Sequence, residues 1–114
     1  MKVLVCGGRN FDNIAFIWRT LDRLHEDTPI SELIHGGARG ADTIAGDWAK
    51  TKPVKRWICK ADWEKHGKSA GTRRNARMLE WEPDLVVAFP GGRGTADMVR
   101  RSKEAGVKVI EVNQ

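Results

Sequence analysis

Leu85-Val86-Val87-Ala88-Phe89-Pro90-Gly91-Gly92-Arg93-Gly94-Thr95 decides how the rest of this chain is read. An apolar run of strand length ends in a proline and a glycine cluster. A segment with helical spacing follows, through Met98 and Val99 to Gly106. Glycines at a strand-to-helix turn let backbone N–H groups approach an anion closely, and the start of the helix adds partial positive charge. Pro90, Gly91, Gly92, Gly94 and Thr95, with the guanidinium of Arg93, therefore form a candidate phosphate-holding loop. Thr95 is the expected N-cap of the helix.

Two further loops have the same composition. Gly36-Gly37-Ala38-Arg39-Gly40-Ala41-Asp42 follows Leu33 and Ile34, and Gly7-Gly8-Arg9 follows the run Val3 to Cys6. Each carries an arginine, whose planar fork suits bidentate contact with phosphate oxygens. Tight turns that need positive φ explain some of these glycines, but not an arginine in all three loops. Asp42 is expected to cap the helix that it starts, with contact to a ribose hydroxyl as its second role.

Working outward from the loops, apolar runs of strand length alternate with segments of helical period, the pattern of a parallel sheet with crossover helices. Strands are expected at Lys2 to Cys6, Glu32 to His35, Val54 to Cys59, Leu85 to Phe89 and Lys108 to Val112. Ile14, Ile17, Trp18, Leu21 and Leu24 fall on one helical face, as do Ala41, Ile44, Ala45, Trp48 and Ala49. Ala61 to Gly71 has no clear period and reads as a long loop with one helical turn at most; a helix from about Thr72 to Trp81 follows. The fold class is an α/β open parallel sheet of about five strands with helices on both faces. Strand order 3-2-1-4-5 sets the loops after strands one and four on either side of the switch point, where ligands of such sheets lie. The order 2-1-3-4-5 also fits the periodicity.

At 114 residues the chain is expected to form one domain, residues 1–114, able to bury roughly two thirds of its unfolded surface without disulfide or metal. Lys plus Arg at 20 against Asp plus Glu at 15 gives a net charge of +5, with the excess concentrated between Lys50 and Arg77. Lys50 to Lys60 reads as a solvated surface, whereas Arg73 and Arg74, beside Gly71 and Asn75, read as anion-facing. Cys6 and Cys59 lack metal or redox spacing and read as buried reduced thiols. His25, His35 and His66 lie far apart, so no metal and no cofactor is expected, and His35 reads as a packed, hydrogen-bonded ring. Trp63 and His66 suit stacking on a base and bonding to it, although a tryptophan beside a helix start more commonly packs in the core. No apolar run reaches membrane-spanning length, so the expected setting is the cytoplasm, with no membrane partner. The chain has no Gly-x-Ser-x-Gly elbow, no Walker lysine and no complete Gly-x-Gly-x-x-Gly after the first strand.

Gly36 to Asp42, Ala61-Asp62-Trp63 with His66-Gly67-Lys68 and Ala70-Gly71, Arg74-Asn75-x-x-Met78, and Ala88-Phe89-Pro90-Gly91-Gly92-x-Gly94-Thr95 occur in this order across nearly the whole chain. In these pieces it resembles the SLOG superfamily, most closely the small YspA-like members, which are Rossmann-like domains of this size. The resemblance implies a nucleotide or nucleotide-derived ligand, with signal sensing or processing as the setting. The three loops and the resemblance together give as candidate ligand-binding residues Gly7, Gly8, Arg9, Gly36, Gly37, Arg39, Gly40, Asp42, Trp63, Arg74, Asn75 and Pro90 to Thr95. Relatives form dimers or larger assemblies, so a homo-oligomer is a further expectation.

Two related groups supply alternatives. The Lonely Guy phosphoribohydrolases have a similar Pro-Gly-Gly-x-Gly-Thr-x-x-Glu motif, and Arg74 matches their arginine, but Met98 stands at the glutamate position. An oxocarbenium-like species needs a nearby carboxylate. The candidates for an N-glycosidic hydrolase are therefore Arg74 with Asp97, roughly 100° around the helix from Met98, or Asp42. DprA, a single-strand DNA binder, is similar at Ala38 to Asp42 and at Arg73-Arg74-Asn75, which makes nucleic acid the second alternative partner.

Overall fold

A computed structural model describes residues 1–114. The five parallel strands are β1 (Lys2–Cys6), β2 (Glu32–His35), β3 (Lys55–Ile58), β4 (Leu85–Ala88) and β5 (Lys108–Glu111). They are ordered β3-β2-β1-β4-β5, the first of the two orders that periodicity allowed. Register runs through Val3↔Leu33 and Val3↔Leu85 at the centre, and Leu33↔Arg56 and Val86↔Val109 toward the edges. Because alternate residues point to opposite faces, β1 sends Val3 and Val5 into one layer and Leu4 and Cys6 into the other.

Helices α1 (Ile14–Asp27) and α2 (Ala41–Lys50) cover the first face, over a core of 14 buried residues that includes Ile17, Leu21 and Trp48. The Trp48 indole is fully enclosed and donates to Asp22 Oδ1 at 2.8 Å, so its one polar atom is satisfied. Burial of a side chain this large contributes on the order of 3 kcal/mol. Helices α4 (Ala70–Glu80) and α5 (Arg93–Glu104) cover the second face, over a smaller core of 8 residues around Leu4, Met78 and Met98. Ile14 departs from its expected face: it is the first residue of α1 and is 58% exposed.

Other differences lie where local periodicity is weakest. Within the expected Ala61–Gly71 loop, α3 (Trp63–His66) and a 3₁₀ turn (Gly67–Ser69) form; Asp62 accepts from Lys65 N at 3.1 Å and starts α3. Helix α4 begins at Ala70 rather than Thr72. Helix α5 begins at Arg93 with Gly92 as N-cap, which places Thr95 in the third helical position and not at the cap. Cys59, expected to be buried, is half-exposed because it follows the edge strand β3. No helix is long and apolar enough to cross a membrane.

Candidate functional site

Parallel strands deliver every β-to-helix turn to the same rim, and the order of the strands seats the β1 turn between those of β2 and β4. Gly8 joins the three. Its N–H donates to Pro90 O at 2.9 Å, and its carbonyl accepts from Ala41 N at 3.3 Å and Phe11 N at 3.2 Å. Gly40, the N-cap of α2, has φ 79°, and a Cβ there would stand 2.5 Å from the carbonyl oxygens of Gly8 and Arg9. Only glycine fits that crossing.

A cavity of about 360 Å³ opens on this rim, within the usual range for small-molecule sites. Gly7, Gly8 and Arg9 come from the β1 turn, Ala38 and Asp42 from the β2 turn, and Gly92, Gly94 and Thr95 from the start of α5. Trp63, Gly71, Arg74, Asn75 and Met78 close it from α3 and α4. A second cleft of about 480 Å³ adjoins it and shares Arg9, Ala38, Trp63 and Arg74; Gly36, Gly37, Arg39, Lys60 and Ala61 complete its lining. Trp63 is 50% exposed, so it walls the two spaces and is not part of the core. The Arg9 guanidinium lies 5.6 Å from its ring centroid.

The remaining sequence candidates fall elsewhere. Gly40 is part of the crossing behind the β1 turn and faces a third hollow with Thr43 and Ile44. Pro90 and Gly91 line a hollow on the far side of Thr95, toward β5. Arg93 is exposed at the first position of α5 and lines neither main cleft. The helix is capped three residues earlier than expected, at Gly92 in place of Thr95.

Hydrogen bonds fix the polar walls. Arg74 donates through Nη1 to Gly36 O at 2.9 Å and through Nε to Asn75 Oδ1 at 3.1 Å. A Cβ at Gly36 would collide with that guanidinium, so the glycine is what lets Arg74 lie across the β2 turn. Buried Asn75 donates to Gly94 O at 3.1 Å and Asp97 Oδ2 at 3.0 Å, tying α4 to α5. Asp97 also pairs with Arg100 and Arg101, each at 2.9 Å. Its carboxyl is held below the usual range despite partial burial, by the bonds from Asn75, Arg101 and Arg100. It lines neither cleft.

Asp42 is buried, and its Oδ2 accepts from Gly36 N at 3.1 Å and Ala38 N at 3.3 Å. It braces the turn before the helix and does not cap the helix itself, because Gly40 already occupies that position. Burial pushes its carboxyl up to about 6, against the opposing pull of the Ala38 N–H and the Arg74 charge. His35 matches its expected role. Its Nδ1 accepts from Gly37 N at 3.0 Å, the ring packs under Gly46, and burial lowers it to about 4. Burial drives the Cys6 thiol up to about 12, so no thiolate nucleophile exists there at neutral pH.

At the start of α5 no internal partner takes the N–H groups of Arg93, Gly94 and Thr95; the first helical bond is Ala96 N to Gly92 O at 3.0 Å. The first turn holds no acidic residue and no side-chain cap. Gly92 and Gly94 have nothing within 4 Å of where a Cβ would stand. Lys60, read from sequence as solvated surface, is a cleft residue; its signal was position, two residues past the end of β3 and so on the same rim. Gly71 and Met78, quoted in the family motifs, also prove to be wall residues.

Sheet order and rim geometry define an open α/β domain with a nitrogen-rich cleft at the strand C-termini. Comparison with known proteins gives the particular family. A profile of YAcAr, the YspA, cpYpsA-related SLOG family, matches residues 1–66, and the chain belongs to that family. The match spans β1 to α3, hence the first two turns and Trp63. The chain is also similar to the Gene 61 protein of Mycobacterium phage D29, 40% identical over 117 residues that cover 96% of this chain and 94% of that protein. No solved structure matches the chain.

Proposed function

We propose that this protein binds a nucleotide or nucleotide-derived ligand, with a phosphate at the start of α5 and the base against Trp63. The observation that carries this reading is the set of partnerless N–H groups at the start of α5, of which Gly94 and Thr95 belong to the cavity that Arg74 and Arg9 also line. Such donors, backed by the helix dipole, favour an anion of phosphate size. Membership in the SLOG family is consistent with it. A half-exposed indole suits base stacking, worth about 1–3 kcal/mol per base.

The test is a thermal-shift panel of the four ribonucleoside 5′-monophosphates and an oligonucleotide, together with the mass of any small molecule that co-purifies. A ligand at about 100 times its Kd adds about 2.7 kcal/mol of stability, which raises the midpoint by several degrees. Response to a mononucleotide is expected; response to the oligonucleotide alone would transfer the site to nucleic acid.

A second reading, N-glycosidic hydrolysis, rests on Asp42. It is the carboxylate that lines the cavity, whereas Asp97 is committed to Asn75, Arg100 and Arg101. Release of free base from the same nucleotide panel, abolished by Asp42→Asn, is the outcome that would favour it.

A further inference from the structure

The second cleft has a different electrostatic character from the first. Its lining includes Arg9, Arg39, Lys60 and Arg74 but no carboxylate, while the first contains Asp42. None of the four cations is in an ion pair. Four cations lining one concave surface that holds no carboxylate favour an external anion. The wall is shaped to bring them in. At Gly37, with φ 75°, a Cβ would press on Ile58 and stand 3.2 Å from Lys60 Cγ, so the glycine lets the lysine stem run along the turn. Arg74 reaches the same wall only because Gly36 lacks a side chain.

The two clefts are contiguous. Arg9, Trp63 and Arg74 belong to both, so a molecule seated at α5 can extend past the indole into the second space without leaving the protein.

We propose that the second cleft is a subsite for a second phosphate, and that the ligand is a nucleotide whose two phosphates are separated by at least one ribose. This rests on the reading of the first cavity as a nucleotide site. In that arrangement one phosphate meets the N–H groups of α5, the nucleoside lies along Trp63, and the other phosphate meets Arg39 and Lys60, with Arg74 between them.

The experiment compares affinities by calorimetry for ribonucleoside 5′-monophosphates, the matching 3′,5′-bisphosphates and 5′-phosphorylated dinucleotides. It uses the unmodified chain and the double variant Arg39→Ala with Lys60→Ala. Arg39 and Lys60 are exposed, and the one side-chain bond between them and the rest of the protein is Arg39 to Asn10 on the solvent side, so the double variant keeps its fold, checked by its melting curve. The unmodified chain is expected to prefer a bisphosphate or dinucleotide over its monophosphate by about tenfold or more, and this ratio is expected to fall to near one in the double variant. Gain with the bisphosphate places the second phosphate one ribose away; gain with the dinucleotide alone places it further. Monophosphate binding with no gain from either probe, or a gain that survives the double substitution, overturns the second subsite and leaves the first reading standing. Failure of every probe to bind overturns both.

Discussion

The turns after β2 and β4 look alike in sequence and are opposites in use. Both lead from a strand into a helix whose N-cap is glycine, Gly40 before α2 and Gly92 before α5. At the first, the N–H groups of Gly36 and Ala38 go to Asp42, that of Gly37 to His35, and that of Ala41 to Gly8. At the second, three consecutive N–H groups have no internal partner and no acid stands in the first turn. A glycine-rich composition therefore marks two separate needs, close backbone crossing in one turn and exposed donors in the other. The hydrogen-bond inventory tells them apart.

The most forceful way to break the contrast is to make the second turn resemble the first. Gly94→Asp places a carboxylate among the free donors where nothing stands within 4 Å. Nucleotide affinity is expected to drop by about 100-fold or more, about 2.7 kcal/mol, while the folded state gains a few tenths of a kcal/mol from an acid at a helix start. Calorimetry and thermal melting read the two effects separately. Equal loss of stability and binding would count against the anion site.

Replacing the two N-cap glycines by alanine sharpens the contrast next. Gly40→Ala forces a side chain into positive φ and against two carbonyls, so a loss of about 2 kcal/mol or more is expected in denaturant unfolding. Gly92 has φ −99° and open space around it, and its alanine variant is expected within about 0.5 kcal/mol of the original.

The smallest effect concerns charge in the first turn. Since the folded carboxyl of Asp42 lies near 6 and its ordinary value is 3.8, the folded chain keeps a proton there that the unfolded chain releases between those pH values. Its contribution to stability therefore falls as pH rises through that window. His35 acts the other way: lowered from 6.5 to about 4, it stays neutral while the unfolded chain takes up a proton, so stability is lost as pH falls from 6.5 toward 4. The two slopes oppose each other in the original protein. In Asp42→Asn, Oδ1 can still accept both N–H groups, the buried charge is gone, and stability at pH 7.5 is expected to rise by about 1 kcal/mol. The same variant should show the His35 slope alone, with stability climbing between pH 4 and 6.5.

Much of the fold was legible because its strands are short apolar runs. Val3 to Val5 and Leu85 to Ala88 are buried on both faces, and each ends at a glycine cluster or proline. The single turn Trp63–His66 was allowed for within Ala61–Gly71 but could not be placed, because four residues carry no helical period. The start of α5 was misplaced because Thr95 is the better capping residue, yet the backbone had already turned helical at Arg93. The wall residues were harder. Arg74 was found through its motif, but the partners of Asp42 and the inward role of Lys60 depend on contacts between turns far apart in sequence, which no local pattern encodes.

Gly8, bonded on one side to Pro90 and on the other to Ala41, makes the three turns a single braced unit. Neither neighbour can shift without tugging the other through it. The disorder that a flexible receptor would surrender at every encounter is here surrendered once, as the chain folds, so a ligand of the proposed class would meet a surface already set. Selection at such a rim would be by fit.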